Sequence, residues 1–136
     1  GTWIHEDMIA AYCELHRMGY AHSVETWMPK NARENQRGIT AELELVGGLY
    51  CVCIGRMFYG ESMFSNASNA SKIALAHLAK QLERWRFGFI DCQMNTPHLA
   101  SLGAHEIPRK EFIARLQELV NCEPITRWQF DTDLFV

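Results

Sequence analysis

The cysteines of this 136-residue chain match neither a metal site nor a disulfide framework. Five are present without any CxxC pair, and none of the six histidines stands at a metal-binding spacing from a cysteine or another histidine. Long apolar runs are also absent, since the run from Leu49 to Ile54 is far too short to cross a bilayer. We therefore expect a cytoplasmic protein with no metal and no membrane contact.

A glycine-rich phosphate cradle is missing as well. Acetyltransferases that use CoA hold its pyrophosphate in such a turn at the start of a helix. The turn that enters the main predicted helix, Met63 to Ser68, has no glycine, and Asn35 to Thr40 has one but precedes a predicted strand. These absences disfavour a CoA-dependent enzyme. The net charge of -3 gives no whole-chain argument for nucleic-acid binding.

The composition, 48% hydrophobic and 21% charged, is that of an ordinary globular protein, and the length suits one domain over residues 1–136. Apolar spacing predicts helices over Glu6–Met18 and Ala70–Arg86 and a last helix from Pro108, with a short helical turn at Pro97–Gly103. Strands are predicted at His22–Met28, Leu43–Ile54 with a bulge or turn at Gly47-Gly48, Arg56–Tyr59, Phe87–Gln93 and Thr126–Phe130. A polar loop fills Pro29–Glu42. The fold class is α+β, a mixed sheet flanked by helices.

Two polar side chains interrupt the apolar run Phe87–Gln93. Asp91 and Gln93 are two residues apart, so a regular strand would point both to one face and Cys92 to the other. A carboxylate in an apolar segment needs a partner or a function. The pair is a candidate for proton transfer or for holding a cation. The alternative is a polar pair that fixes the loop after the strand. Cys92 is expected to be a small packing residue.

A second acid, Glu61, stands among aromatic residues and methionines in Phe58–Ser65. Gly60 would allow a ligand to approach the backbone, and Phe58 and Met63 could line an apolar pocket. The alternative is a hairpin end with a solvated Glu61. Trp3 and Tyr12 are candidates for stacking on a base, although core packing is the commoner fate of such residues.

Several segments together resemble the leucyl/phenylalanyl-tRNA–protein transferases. They are Gly1–Ile4, Gly19–Glu25, Leu45–Tyr50, Gly60–Ser65, Asn69–Lys72, Ile90–Gln93 and His98–Ala104. The resemblance extends from Gly1 to about Leu119 and is specific as a set.

The resemblance implies an acetyltransferase-like, GNAT-related fold without a cofactor. It also implies transfer of Leu or Phe, with Met as a further candidate, from aminoacyl-tRNA to proteins that begin with Arg or Lys, which marks them for degradation. Asp91 and Gln93 match the family's catalytic acid and amide, and Glu61 matches its second acid. Trp3, with Tyr12 beside it, matches the site of the tRNA 3′-adenosine. The aminoacyl pocket is matched by Leu49, Phe58, Gly60, Met63, Leu78, Leu82 and Ile90.

The family has a further N-terminal segment before the position of Gly1, so we expect this chain to be the C-terminal catalytic part of a longer protein. The loop Pro29–Glu42 is longer than in the family, and Met94–Pro97 departs from its usual loop, which leaves Asn95 as a weak candidate. Two alternatives remain open. One is a CoA-dependent N-acyltransferase on the same scaffold, and the other is a binding module without catalysis.

Overall fold

A computed structural model of the protein describes residues 5–30, 42–93 and 96–135. Helices cover Glu6–Arg17 (α1), Ala70–Arg84 (α2), Pro97–Ser101 (α3) and Arg109–Val120 (α4), and strands cover Ala21–Pro29 (β1), Leu43–Ile54 (β2), Met57–Ser65 (β3) and Ile90–Asp91 (β4). Most of the predicted loop Pro29–Glu42 lies outside the described residues.

The strands form a mixed sheet in the order β1-β2-β3-β4. Strand β1 is antiparallel to β2, β2 is antiparallel to β3, and β3 is parallel to β4. A parallel pair needs a crossover connection, and helix α2 supplies it between β3 and β4. The predicted α+β class with a mixed sheet and flanking helices is therefore confirmed.

Alternating side chains of β2 separate the two faces of the sheet. Leu49, Cys51 and Cys53 are buried in one cluster with Leu78 and Leu82 of α2. Tyr50 points the other way, and its ring lies 4.9 Å from the ring of Tyr12 on α1. Helices α1 and α2 thus cover opposite faces. Burial of each large apolar side chain in the α2 face contributes about 1.5–3 kcal/mol.

The strand predicted over Phe87–Gln93 is wrong in its extent, since only Ile90–Asp91 pair in the sheet. Arg86 has a left-handed backbone (φ 63°), which ends α2 and directs Phe87 into the core. The ring of Phe89 packs against Phe112 of α4. The first apolar residues of this run therefore serve core and helix packing, which their hydrophobicity alone could not distinguish from strand pairing.

Two further predictions about strands are wrong. The strand expected at Arg56–Tyr59 runs on to Ser65, so it contains the whole Glu61 segment. Thr126–Phe130 forms no strand. Its Trp128 side chain stacks on His22 and packs against Trp85 instead. An aromatic contact with the core replaces strand pairing there. The short helix at Pro97 is confirmed, with Thr96 accepting a hydrogen bond from the Leu99 amide as its cap.

The irregularity predicted at Gly47-Gly48 is a bulge in β2. Thr26 pairs with Gly47 and Trp27 with Leu45, so Val46 is the extra residue. Helix α2 begins directly over this point, where the Thr26 hydroxyl donates to the Ala70 carbonyl at 2.8 Å. A Cβ atom on Gly47 would lie 2.5 Å from the Cβ of Ala70. The absence of a side chain at Gly47 lets the helix rest on the sheet.

We expect Gly47→Ala to lower the free energy of unfolding by about 1–3 kcal/mol, because the new methyl group would overlap the start of α2. Urea unfolding followed by circular dichroism measures the change. Gly88→Ala is the matched control, since the three atoms nearest to its Cβ would belong to the side chains of Leu119 and Arg115, which can move. Equal losses in the two variants would refute the proposed close contact.

His22 of β1 is held between aromatic and ionisable neighbours. Its ring stacks on Trp128 at 3.9 Å with 15° between the planes, and the His16 ring of α1 lies 6.1 Å away. Its Nε2 atom is buried and has no hydrogen-bond partner among the described residues. Burial, assisted by the nearby His16, lowers the pKa of His22 below its usual value of 6.5.

A lowered pKa means that the unfolded chain binds this proton more readily than the folded chain does. The stabilising contribution is therefore complete above about pH 6.5 and is lost as the pH falls through the folded-state pKa. We expect NMR titration of the histidine ring protons to give His22 a pKa below 6.5, and His22→Phe to weaken the acid dependence of the melting temperature. A measured pKa of 6.5 or higher for His22 would contradict this account.

Candidate active site

The candidate site lies where strands β3 and β4 separate. These strands pair at only two positions, Phe58 with Ile90 and Tyr59 with Asp91. Beyond them, β3 continues to Ser65 alongside β2, whereas the chain leaves the sheet after Asp91. The residues that follow the paired positions, Gly60 and Glu61 on one side and Gln93 on the other, therefore border a fork.

Asp91 and Gln93 are brought together, but not by strand alternation. Gln93 lies past the end of β4 with a left-handed backbone (φ 64°), so the prediction of a shared strand face is wrong. Its backbone N–H donates to Asp91 Oδ1 at 2.8 Å, which closes a tight turn. The alternative interpretation is a polar pair that fixes the loop after the strand, and this hydrogen bond is a contact of that kind. The half-buried carboxylate retains Oδ2, which accepts no hydrogen bond from the described parts of the chain.

The Gln93 side chain bridges the fork. Its Nε2 donates to the Gly60 carbonyl at 3.1 Å, which links the end of β4 to β3. A Cβ on Gly60 would lie 3.4 Å from the Asp91 carbonyl oxygen, so the two strands are still in contact there. Within residues 5–30, 42–93 and 96–135, nothing donates to Gln93 Oε1. The amide is thus held at one end and can accept a hydrogen bond at the other.

Glu61 is the extra residue of a bulge in β3. Tyr50 pairs with Ser62 and Cys51 with Gly60, which leaves Glu61 without a partner on β2. The interpretation of Glu61 as a hairpin end is therefore wrong, because β3 continues on both sides. Bulges redirect side chains and are common beside active sites. Here the Glu61 carboxylate receives a hydrogen bond from the Tyr12 hydroxyl at 3.1 Å.

The same bulge aligns the predicted pocket residues. Phe58 and Met63 are five positions apart, and in a regular strand they would face opposite ways. Because Glu61 adds one residue, both follow the buried side of β2, with Phe58 opposite Cys53 and Met63 opposite Leu49. A regular strand could not place both residues against helix α2.

All six apolar side chains predicted to form the aminoacyl pocket lie in one cluster. Leu49, Phe58, Leu78 and Leu82 are buried members, and Met63 and Ile90 pack against them while remaining partly exposed. The buried four expose 7%, 0%, 1% and 3% of their surface respectively, so they can form only the floor of a pocket. Met63 and Ile90 supply the surface that a ligand could touch. Gly60, the seventh predicted residue, lies between them at the fork.

Burial and the two acids together raise the pKa values of the tyrosines beside these acids. Burial, with the Glu61 charge and its hydrogen bond, raises the pKa of Tyr12 to about 12, so its hydroxyl remains a donor at neutral pH. Burial and the Asp91 charge also raise the pKa of Tyr59. Each acid thus has a protonated phenol as a neighbour, Tyr12 for Glu61 and Tyr59 for Asp91.

Sequence reasoning missed Tyr50 and Tyr59 as neighbours of this site. Tyr59 is the register partner of Asp91, and Tyr50 packs on the Tyr12 ring. Alternation along β2 could have suggested Tyr50, but Tyr59 required knowledge of the strand pairing. Trp3 and Asn95 lie outside the described residues, so Tyr12 is the member of the predicted adenosine site whose surroundings are described.

The family model for leucyl/phenylalanyl-tRNA protein transferase matches residues 1–117. The chain belongs to this family. One similar protein, named leucyl/phenylalanyl-tRNA–protein transferase and from Nitrosospira multiformis, is 61% identical over 96% of this chain and 51% of that protein. Another with the same name, from Nitrosomonas europaea, is 59% identical over 96% of this chain and 50% of that protein.

A third relative with the same name, from Thiobacillus denitrificans, is 59% identical over 97% of this chain and 53% of its own length. The chain therefore spans about half the length of the curated leucyl/phenylalanyl-tRNA–protein transferases that it matches. None of the described helices is long and apolar enough to cross a membrane. Among the described residues, no three His, Cys, Asp or Glu side chains are grouped so that they could hold a metal ion.

Cys92 follows Asp91 in the chain, and its thiol is a side chain that could act as a nucleophile. Burial, together with the Asp91 charge, raises the pKa of its thiol. We expect iodoacetamide at pH 7.5 to alkylate Cys92 several-fold more slowly than the exposed Cys13 and Cys122, because less thiolate is present. Peptide mass spectrometry over time measures the three rates in one sample. Fastest labelling at Cys92 would restore it as a candidate nucleophile.

Proposed function

We propose that this chain is the catalytic part of an aminoacyl-tRNA–protein transferase. The proposed reaction moves Leu or Phe, with Met as a further candidate, from charged tRNA to proteins that begin with Arg or Lys, and thereby creates an N-terminal degradation signal. Family membership and the placement of Asp91, Gln93 and Glu61 around one fork support the proposal. Because charged tRNA is the donor, we place the protein in the cytoplasm.

The observation on which the proposal depends most is the Gln93 bridge between Asp91 and Gly60. Among residues 5–30, 42–93 and 96–135, nothing donates to Asp91 Oδ2 or to Gln93 Oε1, and both atoms lie at the place where β3 and β4 part. An incoming α-ammonium group needs acceptors of this kind, first to be held and then to lose a proton. Asp91 is the proposed acceptor of that proton, and Gln93 orients the amine.

The bond changes need no nucleophile from the enzyme. The free α-amine attacks the ester carbonyl of the aminoacyl-tRNA, a C–N bond forms, and the C–O bond to the terminal ribose breaks. The nitrogen of the α-ammonium group loses two protons before the amide is complete. Asp91 can pass one of them to the ribose oxygen, and the other leaves to solvent. Since the ester is already activated, the raised pKa of Cys92 presents no difficulty for this chemistry.

Charge and apolar surface account for the proposed substrates. The negative charges of Asp91 and Glu61 favour an acceptor with a cationic first side chain, such as Arg or Lys. The cluster around Leu78 and Leu82 offers a partner to apolar aminoacyl side chains and no hydrogen bond to polar ones. Met63 and Ile90 form its accessible edge. For the tRNA 3′-adenosine, we propose Trp3 and the Tyr12 ring as the stacking surface.

The fold assignment beyond α+β belongs to the same proposal. We assign the chain to the acetyltransferase-like, GNAT-related folds. Support comes from the mixed sheet, from the parallel β3–β4 pair joined through α2, and from the fork beside it. The proposed domain covers residues 1–136 as the C-terminal part of a longer protein.

The test is transfer of radiolabelled Leu from Leu-tRNA to a peptide that begins with Arg, catalysed by the full-length protein that carries this chain. We expect transfer by the unaltered protein and a decrease in kcat of about 100-fold or more in Asp91→Asn, because the amide cannot take up the amine proton. Circular dichroism checks that the variant is folded.

Asp133→Asn makes the same chemical change on an exposed residue of the C-terminal segment and is expected to retain the normal rate. A normal rate in Asp91→Asn would refute the role given to Asp91 while leaving the reaction intact. Acetyl transfer from acetyl-CoA, with no transfer of Leu by the unaltered protein, would overturn the proposed function in favour of a CoA-dependent acyltransferase.

A further inference from the structure

The C-terminal tail, residues 121–135, lies beyond the part that the family model matches and is attached to the core. It follows α4 and contains no regular helix or strand among its residues. Leu134 is nevertheless buried, and Trp128 packs against the cluster that contains Leu78 and Leu82. Segments without secondary structure are not held by strand or helix hydrogen bonds, so these contacts need another source.

That source is a buried amide on helix α2. Gln81 is completely buried, and its side chain engages Asp131 of the tail at both ends. Its Oε1 accepts the Asp131 backbone N–H at 2.7 Å, and its Nε2 donates to Asp131 Oδ2 at 3.2 Å. A buried amide that lost either partner would be destabilising, which makes the pairing specific for this position of the tail.

Two exposed ion pairs of Arg84 lie beside this buried contact. Arg84, one turn further along α2, donates to Asp131 Oδ2 at 3.0 Å and to Asp133 Oδ1 at 2.5 Å. Exposed pairs of this kind contribute little, so the Gln81 contact is the specific part of the attachment.

Trp128 is a second point at which the tail contacts the core. Its indole stacks on His22 of β1 and lies 5.0 Å from the Trp85 ring at the end of α2. The tail therefore joins β1 to the C-terminal end of α2. The N-terminal end of the same helix is held separately, at Gly47 and by the Thr26–Ala70 hydrogen bond.

We propose that the tail positions helix α2 and thereby sets the shape of the aminoacyl pocket, with Gln81 and Asp131 as positioning residues. Leu78 and Leu82 flank Gln81 on α2 and belong to the apolar cluster that would form the floor of the proposed pocket. A small displacement of the helix alters the space offered to Leu and to Phe by different amounts, because the two side chains differ in size and shape. The inference rests on the proposed function for its effect on substrates.

The experiment compares kcat/KM for Leu-tRNA and Phe-tRNA in the full-length protein and in three variants. Asp131→Ala keeps the backbone contact but leaves Gln81 Nε2 without its acceptor. Asp131→Asn keeps an acceptor oxygen. Asp133→Ala removes one of the two ion pairs of Arg84 and leaves the contacts of Asp131 in place. We expect the Leu:Phe ratio to change about threefold or more in Asp131→Ala and to stay normal in the other two.

A second measurement does not depend on activity. Native-state hydrogen exchange should show amides of α2 exchanging about tenfold or more faster in Asp131→Ala than in Asp133→Ala, under conditions where both are folded. An equal loss of Leu and Phe transfer, with an unchanged ratio, would reduce the tail to general stabilisation and overturn the proposal. Unchanged exchange in α2 would also overturn it. Failure of the unaltered protein to transfer either residue would instead refute the proposed function.

Discussion

The brief parallel pairing of β3 with β4 determines where the candidate reactive groups lie. Two register positions join the strands, and the polypeptide then turns away at Asp91. Because the pairing ends there, the carboxylate is half-buried at the margin of the sheet, rather than enclosed within it. A longer pairing would have placed Asp91 in the interior, where a charged form is costly. The polar groups at the fork are thus tolerated because the sheet ends beside them.

Sequence reasoning predicted the larger elements correctly because their signals are local. The helix from Ala70 and the strand from Leu43 have strong periodicity and begin where predicted. Phe87 and Trp128 show where such signals fail. Both are aromatic residues in segments predicted to be strands, and both contact the core without joining the sheet. Apolar character predicted their burial but could not specify what they would pack against.

The candidate site shows the same division. Asp91, Gln93 and Glu61 were identifiable as polar residues in apolar surroundings, and all three border the fork. The reason for the proximity of Asp91 and Gln93 was wrong, since a tight turn with a left-handed residue replaces strand alternation. The Tyr12–Glu61 hydrogen bond joins residues 49 positions apart, which no spacing rule in a single sequence could reveal.

The bulge at Glu61 has a consequence for how β3 can vary. Phe58 and Met63 share a face only because one residue between them has no partner on β2. A strand that lacked Glu61 would alternate regularly and would still place Phe58 and Met63 on one face, four positions apart, so the packing of the core does not need the extra residue. What the bulge supplies is the position of the Glu61 carboxylate, where the Tyr12 hydroxyl donates to it.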